Sequence, residues 1–229
     1  MELLCTLLLA IMLMAFLQEI YITADISKYI VTHGIAPTTY QPKSLFARSV
    51  KRATDLLVAL IVCVTILPLL YIVLGIIIKL TSPGPVIFCH KRIGLCGKEF
   101  ICYKFRSLYD NAGPQKVVEN DERVTPIGKF IRRTHLDEIP QFYNVLIGDM
   151  SLVGPRPLTS SRLEAFKDEP LFDLRALVRP GIAGMNQLVG RSQPQEIYLK
   201  TDIEYVYSHS WWQDIKILYK TLLFKDYAY

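Results

Sequence analysis

The chain has 229 residues, 51% of them hydrophobic, and a net charge of +5. That length exceeds one typical domain and falls short of two, which suits a single globular core accompanied by membrane segments. The basic excess is modest, and no helix-turn-helix, finger or RNA-binding signature accompanies it, so nucleic acid is excluded as the partner.

In chain order, residues 3 to 17 hold nothing more polar than threonine, and Glu2 stands where a signal peptide would carry basic residues. An uncleaved apolar helix over residues 1–24 is expected. Whether it spans is left open, because the run is short of the roughly 20 apolar residues a bilayer requires. If it spans, the charge rule places the N-terminus outside. Residues 25–47 are expected to form a linker.

The second apolar segment differs in character. Residues 56 to 78 carry no charge, and Pro68 sits in their middle. Proline removes a backbone hydrogen bond and kinks a helix, leaving arms of about 12 and 10 apolar residues that rise only about 15 to 18 Å each. Neither arm crosses a hydrocarbon core about 30 Å thick. Lys43, Arg48, Lys51 and Arg52 precede the segment and Lys79, Lys91 and Arg92 follow it. A single pass puts one basic flank on the wrong side, whereas a helix that enters and leaves by one leaflet keeps both in the cytoplasm, against anionic headgroups. Pro-kinked spanning helices are also common, so both topologies stand at this point.

From Lys79 onward the pattern is mixed α and β. The stretches PVIFCHKRIG and KEFICYKFRSL read as strands joined by a glycine-bearing turn, and NAGPQKVVENDERV as a polar loop. Pro126 suits the first turn of a helix reaching about Thr134, and Pro140 opens another. The C-terminal SWWQDIKILYKTLLF places Trp211, Ile215, Leu218 and Leu222 on one helical face, fit either for the core or for the headgroup layer. Five cysteines form no C-x-x-C pair, and His90 with Cys89, Cys96 and Cys102 matches no familiar zinc spacing, so reduced thiols are expected.

Asp137 and Glu138 lie just before Pro140, at a junction between two helical pieces. Taken alone, such a pair reads as a helix cap worth about 0.5 to 1 kcal/mol. The neighbours change that reading. Arg132 and Arg133 lie upstream, and Arg156 sits between Pro155 and Pro157 after the glycine-bearing GDMSLVG loop. Carboxylates with several guanidinium groups suit metal-assisted phosphoryl chemistry, in which a carboxylate attacks phosphorus or holds Mg²⁺ and arginine forks grip phosphate oxygens. No P-loop or G-x-G-x-x-G is present, which argues against a kinase or an ordinary NTPase.

The ordered set KRATD, the apolar segment broken at Pro68, SPGPVIF, RIGLCGKEF, YKFRSL, LDEIPQFYNVLIGDMSLVGPRP and VRPGIAG resembles the bacterial sugar transferases, the monotopic polyprenol-phosphate phosphoglycosyl transferases, over about residues 48 to 224. The resemblance implies an α+β monotopic membrane protein with a proline-broken re-entrant helix at 48–80, amphipathic surface helices, and a small mixed α/β catalytic domain at 81–229 on the cytoplasmic face of the bacterial inner membrane. It implies transfer of a sugar-1-phosphate from a nucleotide diphosphate sugar, usually UDP-linked, to undecaprenyl phosphate, releasing UMP, as the first membrane step of surface glycan assembly. By the same matching, Asp137 is the nucleophile of a covalent intermediate and Glu138 helps bind Mg²⁺. Lys104, Arg106, Arg132, Arg156 and Arg191 become phosphate or nucleotide contacts.

Some positions depart from the family pattern. Leu67 precedes Pro68 where serine is frequent, His135 and His90 replace frequent serine and glutamine, and GIAGMNQLVGRSQPQEIY lacks the tryptophans and the NGR that many members carry. Sugar or base recognition is therefore expected to differ. A catalytically silent scaffold of the same fold, and a single-pass protein with a soluble binding domain, are the competing readings. The sugar and any homo-oligomeric state are not set by the sequence.

Overall fold

The computed structural model describes residues 2–36, 38–110, 113, 117–118, 120–166, 169, 171–189 and 194–223. Two long helices, α1 (Glu2–Thr32) and α2 (Leu45–Thr81), precede a mixed α and β domain. They run antiparallel. Ile11 and Ala15 pack on Ala53 and Leu56, Gln18 Oε1 accepts from Arg52 Nε at 2.7 Å, and Glu19 pairs with Arg48 at 3.5 Å. Both helices are long and apolar enough to cross a membrane.

Helix α2 continues through Pro68 as one element of 37 residues, about 55 Å if straight. Its two halves nevertheless pack on the same domain. Near its start, Arg52 Nη2 donates to Val145 O at 2.7 Å, and Asp55 accepts from Ser151 Oγ at 2.8 Å. Near its end, Leu74 and Ile78 pack on Phe105 and Ile131, and Ser82 O accepts from Arg106 Nη2 at 2.8 Å. Between these anchors the surface is apolar and exposed: Val64 is 67%, Leu69 63% and Ile72 60% open.

The domain opens with the expected hairpin, β1 (Ile87–Ile93) antiparallel to β2 (Glu99–Phe105), turning through Cys96 and Gly97 at positive φ. Helix α3 (Pro126–Arg133) follows, with Thr125 capping Gly128 N and Pro126 in its first turn. Gly128 is required there, because a Cβ would collide with the carbonyl of Ser107. Helix α4 (Gln141–Ile147) carries Asn144, whose amide donates to Ile101 O at 2.6 Å and accepts from Tyr103 N at 3.1 Å, clamping α4 onto β2.

Two short strands, β3 (Ser151–Val153) and β4 (Gly181–Ala183), pair in parallel. Four further α-helices, α5 (Ser160–Phe166), α6 (Met185–Leu188), α7 (Gln195–Ser208) and α8 (Trp211–Leu223), and a 3₁₀ helix, Phe172–Leu177, complete the described elements. The main core joins Phe100, Cys102, Val145, Met150, Val153, Tyr205 and Ile217 to Ala59 of α2. Lys51 ties α2 to β3 and α8 at once, donating to Ser151 Oγ at 2.8 Å and Asp214 at 2.5 Å. All five cysteines are free.

Candidate active site

Helix α3 ends at Thr134, and His135 takes the left-handed conformation, φ 57° and ψ 14°, that commonly terminates a helix. Histidine tolerates this region better than bulky residues do. The reversal feeds a 3₁₀ turn, Leu136–Glu138, which turns Asp137 and Glu138 into the domain, where both are buried. Pro140 then starts α4. The dyad thus sits at the predicted junction, held between two short helices.

Three other segments bring cations to it. Lys104, next to last in β2, donates to Glu138 Oε1 at 2.5 Å and lies 4.0 Å from Asp137 Oδ2. Arg156 donates from Nη2 to the same Glu138 oxygen at 2.8 Å. Arg132 reaches in from the last turn of α3, its Nη1 donating to Ser107 Oγ at 3.2 Å, and its charge acts on Asp137.

The loop carrying Arg156 is fastened on both sides. Gly154 N donates to Ala183 O at 2.9 Å and Gly181 N to Pro155 O at 3.0 Å, an approach so close that a Cβ at Gly154 would strike Arg179 O. Arg175 Nη2 donates to Arg156 O at 2.9 Å, and Arg175 is itself held by Asp202 at 2.7 Å. Arg92, half-buried nearby, donates to Pro157 O at 3.4 Å. Such anchoring presets the guanidinium, so little ordering remains for substrate to impose.

The two carboxylates have opposite electrostatics. Burial raises the Asp137 pKa and the neighbouring Glu138 charge adds to the effect, against the opposing pull of Lys104, Arg132 and Arg156. Burial pushes Glu138 up as well, but Lys104 and Arg156 outweigh it and hold that carboxyl well below its ordinary range. Glu138 is a fixed anion in a cage of cations. Asp137, with its nearest cation at 4.0 Å, is a desolvated, more basic carboxylate with a freer lone pair. Splitting paired carboxylates in this way assigns them different chemical tasks.

The remaining expected contacts are placed differently. Arg106 lies just past the end of β2 and donates to the carbonyls of Ser82 and Pro83, so it closes the end of α2 rather than facing the dyad. Arg191 lies outside the described residues. Pro68 is exposed within α2. His135 is exposed and serves the turn, and His90 is half-buried, its Nδ1 at 2.7 Å from Lys91 O. Sequence reasoning missed Ser107, Arg92 and Arg175, whose bonds to Arg132 or the Arg156 loop have no local signature.

Comparison with known proteins adds a further finding. The chain matches the family described as bacterial sugar transferase over residues 46–225, a span that leaves out α1. It is 40% identical over 189 residues to a UDP-N-acetylgalactosamine-undecaprenyl-phosphate N-acetylgalactosaminephosphotransferase of Aeromonas hydrophila, covering 79% of this chain and 44% of that protein. It is 39% identical over 204 residues to a UDP-glucose:undecaprenyl-phosphate glucose-1-phosphate transferase of Escherichia coli (strain K12), covering 85% and 44% respectively. With an undecaprenyl-phosphate galactose phosphotransferase of Salmonella typhimurium it shares 38% identity over 208 residues, covering 80% and 42%. The chain spans less than half the length of these relatives.

Proposed function

The chain belongs to the bacterial sugar transferase family, and from that premise we propose that it moves a sugar-1-phosphate from a UDP-sugar to undecaprenyl phosphate at a membrane surface. The observation that carries the reading is the asymmetry of the dyad, with Glu138 caged by Lys104 and Arg156 and Asp137 left more basic beside it. A silent scaffold has no use for a buried carboxylate pair whose partners are three cations from three separate segments, since burying such charges is costly.

In the first half-reaction, an Asp137 carboxylate oxygen attacks the phosphorus bonded to the sugar. The new aspartyl O–P bond forms as the bond to UMP breaks, and UMP leaves with the electron pair. Lys104, Arg132 and Arg156 stabilise charge on the phosphoryl oxygens and leaving group. In the second half, an oxygen of undecaprenyl phosphate attacks the same phosphorus and the Asp137 carboxylate is released. The covalent stage lets a soluble donor depart before a lipid acceptor arrives.

Magnesium fits this site in one form only. No group of three or more potential metal ligands exists among the described residues, but Mg²⁺ takes one or two carboxylates together with substrate phosphates and waters. Both cation bonds fall on Glu138 Oε1, which leaves Oε2 to face an ion. Glu138 would therefore hold Mg²⁺ jointly with the donor. When bound, the ion neutralises charge on the diphosphate.

The re-entrant placement of α2 belongs to the same proposal. Packing of Arg52 and Ile78 against one domain supports both flanks lying on one face, with the apolar stretch around Pro68 in lipid. The positive-inside rule makes that face cytoplasmic. A screen of UDP-sugars with undecaprenyl phosphate and Mg²⁺, scored by UMP release, tests the function. Turnover with at least one donor is expected, and silence with every donor favours the scaffold.

A further inference from the structure

A cavity of about 370 Å³ opens beside Arg156 and is not lined by Asp137, Glu138 or Lys104. Arg156 belongs to both places, since its Nη2 bonds Glu138 while its side chain lines the cavity. One wall comes from α1, which lies outside the segment matched to the family. Tyr29 in its last turn and His33, the residue just after its end, stack with ring centroids 3.8 Å apart and planes 22° from parallel. The Tyr29 hydroxyl donates to Asp173 Oδ1 at 3.4 Å, joining two lining residues at the cavity's edge.

Resting on the reading above, we propose that this cavity receives the nucleoside half of the donor and that α1 supplies its stacking surface. A volume of this size falls within the range of about 300 to 1,000 Å³ typical of small-molecule sites. Its order of chemistry matches that half of the donor. Arg156, the cation next to the dyad, takes the phosphate of the leaving group. Leu158 and Leu163 provide apolar walls for a pyrimidine face, and the Tyr29–His33 pair is a platform that a planar ring can extend. The exposed Asp173 carboxylate accepts from ribose hydroxyls or a base N–H. A pyranose is puckered and offers only a C–H patch on one face, so the flat pyrimidine is the better match to the parallel Tyr29–His33 rings. Helix α1 is then a donor-binding element as well as a membrane segment.

The test uses the full chain in nanodiscs and measures binding of labelled UMP alongside the donor KM and kcat. Leu163→Trp fills the cavity, and His33→Ala removes an exposed ring without touching the core. Leu163→Trp is expected to weaken UMP binding at least tenfold and His33→Ala about fivefold, each raising donor KM with kcat held within about twofold. Asp137→Asn is expected to keep UMP affinity while losing turnover. Three results overturn the proposal: no UMP binding by the unmodified chain, UMP affinity unchanged in both cavity variants, or unchanged UMP affinity with KM shifts that differ between UDP-sugars, which assigns the cavity to the sugar. Absence of turnover with every donor counts instead against the transferase reading, because UMP binding is measured without it.

Discussion

Lys104→Met keeps the length of the side chain and removes its charge, and its consequences can be worked from two distances. The ammonium lies 2.5 Å from Glu138 Oε1 and 4.0 Å from Asp137 Oδ2. Losing a charge-assisted bond costs about 1.5 to 3 kcal/mol. The larger penalty for orphaning a buried charge, about 3 to 5 kcal/mol, is avoided because Arg156 still donates to Glu138 at 2.8 Å. At about 2 to 4 °C per kcal/mol for a chain of this size, the thermal midpoint falls by roughly 3 to 12 °C. Glu138 has a depressed pKa, so its ion-pair stability is present above the ordinary glutamate range and lost as pH falls through the folded value. The gap between variant and parent is therefore widest near neutrality and narrows in acid. The kinetic effect is more specific. Lys104 is the foremost charge opposing the upward push of burial on Asp137. Without it Asp137 keeps its proton to higher pH, and the acid limb of log kcat/KM for UMP release moves to higher pH. An acid limb that stays in place or moves lower refutes the electrostatic assignment of the dyad.

Glu138→Gln removes an anion that raises Asp137, so its acid limb is expected to move to lower pH, opposite to Lys104→Met, while turnover falls and the Mg²⁺ needed for half-maximal rate increases. Pro68→Ala restores a backbone hydrogen bond and removes the ring clash, so α2 straightens; membrane-impermeant labels at the exposed positions Lys43 and Lys91 should report one face in the parent and opposite faces in the variant, and opposite faces in the parent refute the re-entrant placement. Glu19→Gln breaks the buried pairing with Arg179 at 2.5 Å and Arg48 at 3.5 Å, at a cost of about 3 to 5 kcal/mol. Helix α1 should then undock, read as faster proteolysis within residues 33–44.

What was legible in the sequence was mostly what is local. The hairpin followed from β-branched and aromatic runs about a glycine turn, and α3 and α4 from Pro126 and Pro140; Gly148, which ends α4 in the left-handed region, was not read as its stop. The pairing of β3 with β4 had no such signal. Each strand is three residues long, and their contact depends on two glycines meeting across the fold. The same holds for the network that docks α2, in which Asp55 meets Ser151 and Lys51 meets Asp214, partners 96 and 163 residues apart. Within the site, Lys104 and Arg156 were legible with the dyad. Arg106 was named with Lys104 through the family resemblance alone; β2 ends at Phe105, and the carbonyls of Ser82 and Pro83 draw the Arg106 guanidinium to the end of α2.

The central claim is that Asp137 attacks the donor before any acceptor is present. The most direct measurement incubates the full chain with UDP-sugar and Mg²⁺ but no lipid, follows UMP, and analyses the digested protein by mass spectrometry. One equivalent of UMP should be released, with a sugar-phosphate on the peptide containing Asp137. The adduct should vanish on addition of undecaprenyl phosphate and never form in Asp137→Asn. Robust turnover whose kinetics require both substrates bound together, with no adduct trapped, contradicts the claim and puts direct transfer in its place.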